Sequence, residues 1–114
     1  MIFKKSENNI NNRKNGIDSM TYHAVMKTPI GYRIGNILVD VTGQIISGII
    51  SFFGREGKYK GELYDNGDIK IKGVLPTPNE NIEFEGEGKI SFHSIHLSIP
   101  SRDFVYELDG TSRG

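Results

Sequence analysis

Cysteine is absent from these 114 residues, and disulfides, thiolate metal ligands and a cysteine nucleophile go with it. Tryptophan is absent too, and proline occurs only four times. Neither sign of charge is in excess: fourteen basic side chains meet fourteen acidic ones. With no field to steer a polyanion, nucleic acid is not an expected partner. No apolar run approaches the ~20 residues that cross a bilayer as a helix. Lys4 and Lys5 are not followed by the apolar stretch of an export signal. Neither membrane insertion nor export is expected, and a cytoplasmic location fits. Helical spacing of apolar residues is missing as well, so no long helix is expected.

What is present points to strands. Fourteen glycines exceed the roughly 7% of an average chain and favour turns and bulges. Short β-branched and aromatic runs alternate with turn signals, which places strands at about 21–27, 34–41, 44–53, 58–64, 69–75, 82–88, 90–99 and 104–110. Asn66-Gly67 is the strongest hairpin signal, because both residues accept positive φ. The segment before these strands is different. Asparagines 8, 9, 11, 12 and 15 crowd residues 1–19, and the few apolar residues there bury too little surface to offset ordering. A flexible polar tail over 1–19 and one folded domain over 20–114 are expected.

Eight short strands in sequential hairpins imply an all-β fold, an antiparallel up-and-down barrel in which closure removes exposed edges. A two-sheet β-sandwich is the alternative. Gly61, Gly73 and Gly86 fall on the apolar face of successive strands, where a missing side chain permits sharp coiling. A faint echo accompanies the strands. Thr28-Pro29 and Thr77-Pro78 each precede an apolar strand, and Arg55-Glu56 and Arg102-Asp103 each precede a strand with aromatics. Duplication of a four-stranded unit and the chance similarity of turns both give such a pattern.

Residues 44–53 break the alternation, being apolar at odd and even positions alike. A strand apolar on both faces should be covered on both. With Ile45, Ile49 and Phe53 inward, Ile46, Ile50 and Phe52 turn outward. That face is the expected oligomer interface, covered by a second subunit of a homodimer or by the N-terminal tail.

Signals of chemistry are sparse. His93 and His96 are three apart, a spacing that a strand sends to opposite faces, and His23 is distant in sequence, so no metal site is expected. No nucleophile elbow occurs, and Gly54-Arg55-Glu56-Gly57 lacks the lysine and helix of a phosphate loop. No catalytic residue and no cofactor is assigned. Glu83, Glu85 and Glu87 should face Lys70 and Lys72 as a solvated charge ladder. The barrel interior remains. Tyr22, Met26, Tyr59, Phe84, Phe104 and Tyr106 are its expected ligand-binding residues, the tyrosines supplying polar groups.

From Thr28 to Gly110 the pattern Thr-Pro-Ile-Gly, Gly-Asn-Ile-Leu-Val, Gly-Gln-Ile-Ile-Ser-Gly and Phe-Glu-Gly-Glu-Gly is similar to small bacterial lipocalin-like (calycin-like) barrel proteins of uncharacterised function. The Gly-x-Trp of true lipocalins is missing, so no family site is carried over. The resemblance implies a barrel that holds a small apolar ligand. Binding a small hydrophobic ligand in a shallow interior is the leading functional expectation. A self-associating interaction module is the alternative, and an isomerase using His23, His93 or a tyrosine as acid–base group is a third reading.

Overall fold

Tight turns set the path of the chain. In the computed structural model, which describes residues 19–112, β1 (Ser19–Thr28) and β2 (Gly31–Thr42) are joined by Pro29 and Ile30. Gly43 and Gln44 then lead to β3 (Ile45–Phe52), and Phe53 and Gly54 to β4 (Arg55–Leu63). The Asn-Gly turn leads to β5 (Asp68–Pro76), and the proline-bearing loop to β6 (Asn81–Ile90). Residues 91–93 lead to β7 (Ser94–Pro100), and 101–104 to β8 (Val105–Ser112). Each strand pairs antiparallel with the next, and β8 returns to β1 through pairs such as Ala24↔Gly110. The sheet is a closed up-and-down barrel, not a sandwich. The tail expected over 1–19 lies, except for Ser19, outside the described residues.

The register fixes the width of the barrel. From Glu87 it runs through Ser98 and Glu107 to Lys27 of β1. The other way it runs through Lys70, Glu62, Ile45 and Thr42 to the level two residues before Ser19, a stagger of ten residues. Eight strands with that stagger tilt by about 40° and place the backbone about 8 Å from the axis. Side chains from opposite walls then meet in the middle. Tyr22, Met26, Ile37, Ile50, Leu97 and Leu108 are wholly buried there. Alternation puts lysines and glutamates of β4–β6 outside, in the expected facing pairs Lys70↔Glu87 and Lys72↔Glu85. The charge ladder is looser than expected. Among the described residues, Lys89–Asp68 (3.1 Å) and the contacts of His96 are the ion pairs within bridging distance.

The apolar run on β3 faces the other way from the expectation. Ile46, Ile50 and Phe52 are buried in the core, while Ile45 is exposed and Ile49 half-buried. The reason is register. Directly paired residues share a face, and Ile46 pairs with Val41, an inward residue of β2. The outer face of β3 reads Ile45, Ser47, Ile49, Ser51, so it is not the apolar interface expected from Ile46, Ile50 and Phe52.

The inward glycines mark where strands press closest. A Cβ on Gly61 would overlap the Lys70 carbonyl and sit 2.7 Å from Ile71 Cα. No larger residue fits at that bend.

Candidate functional site

The six interior residues separate into two groups by how completely the fold engages them. The upper rim carries the turns at 29–30, 53–54, 77–80 and 101–104; the lower rim carries those at 43–44, 64–67 and 91–93. Tyr22 and Tyr59 have their hydroxyls engaged inside the fold. Tyr22 donates to the Ser91 carbonyl (2.6 Å) at the lower rim, and Tyr59 donates to the Leu38 carbonyl (2.8 Å). Met26 is fully buried. All three are packed into the core.

Phe84, Phe104 and Tyr106 lie toward the upper rim. Phe104 and Tyr106 stack edge to face at 5.0 Å, and half-buried Ile82 and Phe53 pack against the same core. Phe53 was expected inward as part of the β3 run; it belongs instead to the turn after β3. It has a φ of 59°, in the left-handed region, next to Gly54 at 70°. Positive φ at both positions makes a two-residue hairpin, normally built from asparagine or glycine. Holding a phenylalanine there costs about 1–2 kcal/mol. The ring lies 6.3 Å from Phe52, and the Arg55 guanidinium sits 5.7 Å above its centre. Arg55 also donates to Asn81 Oδ1 and to the Thr77 carbonyl, tying this hairpin to the β5–β6 loop. The upper rim therefore gathers aromatic side chains, with one side strapped by Arg55.

Tyr106 differs from the other two inward tyrosines. It is 9% exposed, and its hydroxyl makes no hydrogen bond to the protein among the described residues. It is the polar group left available among these rim side chains. Sequence could place Tyr106 on the inward face, but only the fold shows which of the three hydroxyls is unengaged. Phe53 and Arg55 were missed as rim residues because a phenylalanine in a two-residue turn contradicts ordinary turn preference.

Of the groups expected for acid–base chemistry, Tyr22 and Tyr59 are engaged inside the fold. Burial pushes Tyr22 up to about 12, and burial together with Asp40 and Tyr22 raises Tyr59 further, so both stay protonated near neutrality. His96 lies on the outer wall, its Nδ1 2.6 Å from Asp109 and its Nε2 3.0 Å from Glu107. His93 sits in a turn against the edge of Phe92. No group of three His, Cys, Asp or Glu side chains among the described residues is placed to hold a metal ion. An open trough of about 940 Å³ runs along the outer wall between Ile45, Gly61, Gly86 and Pro100. Its rims alternate lysine and glutamate, so no single charge is offered to a ligand there.

No protein family, curated protein or solved structure matches the chain. The fold alone defines its class, a closed eight-stranded antiparallel β-barrel.

Proposed function

We propose that the chain binds a small hydrophobic ligand at the upper rim of the barrel, against Phe53, Ile82, Phe84, Phe104 and Tyr106. The architecture is a closed eight-stranded barrel whose packed core leaves the mouth, not a deep cup, for a ligand. One observation carries this reading: of three inward tyrosines, Tyr106 alone lacks an internal hydrogen-bond partner among the described residues, and half-buried Phe104 stands edge to face against its ring. Aromatic faces supply contact area, and one free hydroxyl supplies orientation. A rigid, roughly planar molecule with one hydrogen-bonding group fits a shallow aromatic surface better than a long acyl chain, which needs depth.

Titration of purified protein with a naphthyl fluorescent dye tests the reading. Saturable enhancement is expected. Phe104→Ala should weaken binding by at least about tenfold, and Tyr106→Phe, which removes only an unpaired hydroxyl, by a few-fold with Tm unchanged. Linear, non-saturating dye response, or binding indifferent to both substitutions, would remove the proposal.

A further inference from the structure

The β1–β2 hairpin is where the barrel leaves itself uncovered. β2 pairs with β3 from Asn36↔Ser51 onward, because β3 turns away after Phe52. Residues 31–34 have β1 on one side and no strand on the other among the described residues. Such an edge is ordinarily covered, shortened or charged.

The echo in the sequence makes the exposure clearer. Thr28 and Thr77 open corresponding turns four strands apart, and both are buried. Thr28 donates its hydroxyl to the Gly31 carbonyl and Thr77 to the Glu80 carbonyl, each at 2.7 Å. In one half of the barrel Arg55, from the preceding hairpin, reaches over to the Thr77 turn. Its counterpart Arg102 is exposed and makes no such bond to the Thr28 turn among the described residues. The hairpin without a strap is the one that carries the apolar surface. Ile30, Tyr32 and Ile34 are 61%, 68% and 83% exposed, and exposed Val25 pairs directly with Ile34. Leu38 farther along β2 and Val105 at the start of β8 continue the patch. Six of the nine exposed large hydrophobics among the described residues thus lie on one side of the molecule.

We infer that this patch is the interface between two copies of the chain, packed hairpin on hairpin about a twofold axis. It does not depend on the ligand reading. Two observations favour a second copy over a different partner. The six side chains expose on the order of 600 Å², close to the roughly 800 Å² per partner of a specific interface, and the uncovered backbone beside them adds to it. The charges at the patch are of both signs: Lys27 faces Glu107 in the β1–β8 register, and Arg33 between Tyr32 and Ile34 donates to the Tyr32 carbonyl. A surface of mixed charge can meet its own image with opposite charges paired and offers little field to a highly charged partner. Ile34, the most exposed of the six, sits on the row between Tyr32 and Leu38, and its truncation should matter most.

The test is sedimentation equilibrium of the full chain across a concentration series, with hydrogen exchange at the 31–34 amides as a second readout. A dimer is expected, with exchange slowing as concentration rises. Ile34→Glu should raise the dimer Kd at least about tenfold with circular dichroism and Tm unchanged. Ile45→Glu, at an exposed apolar site on another strand, should leave the dimer intact. A monomer at every concentration, including one in which the chain's own N-terminal segment covers the patch, overturns the inference. So does a dimer that is indifferent to Ile34→Glu, or exchange independent of concentration.

Discussion

Three inward tyrosines share one face pattern and differ in what surrounds their hydroxyls, and for Tyr22 and Tyr59 those surroundings set the response to pH. Tyr22 and Tyr59 are held protonated by burial, Tyr22 with its pKa pushed up to about 12. An unfolded tyrosine ionises near 10. A folded pKa above the unfolded one means that the stabilisation is complete below pH 10 and is lost as pH rises from 10 through about 12. Stability to urea should therefore be level up to about pH 10 and fall steeply above it. Phenolate absorbance for Tyr22 and Tyr59 should appear only together with loss of the folded circular dichroism signal. Tyr22→Phe should flatten the alkaline limb; an unchanged limb would mean that other groups govern it. The inward face of Tyr22, Tyr59 and Tyr106 was legible from alternation. The carbonyls of Ser91 and Leu38 that engage two of them were not, because those contacts join residues 69 and 21 positions apart.

At the scale of the strand, Gly61 shows how the sheet is bent. Its missing Cβ lets β4 lie against the Lys70 carbonyl and Ile71 of β5. Gly61→Ala should cost at least about 2 kcal/mol, because the obstruction is backbone and cannot rotate away. That lowers Tm by roughly 8 °C or more in a domain of this size. Alanine at Gly43, where nothing lies within 4 Å but φ is 63°, should lose only the smaller left-handed backbone penalty. Equal losses at the two sites would remove the close-approach argument. All eight strands were legible, since turns and alternation are local signals. The facing of β3 was misread, because Ile45, Ile46, Ile49, Ile50, Phe52 and Phe53 leave no alternation to read within the strand. Counting across the hairpin from Val41, which pairs with Ile46, resolves it. The missed core residues Ile95, Leu97 and Ile99 on β7 have a related cause. The expected strand over 90–99 ran through the turn at 91–93 and obscured their alternation.

The whole molecule is a chain of local hairpins plus one distant seam. Seven of the pairings join strands adjacent in sequence; the eighth joins β1 to β8 and closes the barrel. Closing that seam orders a loop of nearly the whole domain before its contacts are gained, so it should form after the main folding barrier. Leu108 on β8 is wholly buried and pairs with Met26 across the seam. Leu108→Ala should destabilise by about 3 kcal/mol, nearly all of it as faster unfolding, on the order of a hundredfold, with the folding limb of the chevron almost unmoved. Ile71 on β5, buried where β4 and β6 both pair locally, is the contrast. Ile71→Ala should slow folding measurably, because those hairpins need no long closure. A folding limb slowed as much by Leu108→Ala as by Ile71→Ala would place the seam inside the transition state. It would also mean that the barrel closes early, with its exposed β1–β2 hairpin positioned before the rest of the wall is complete.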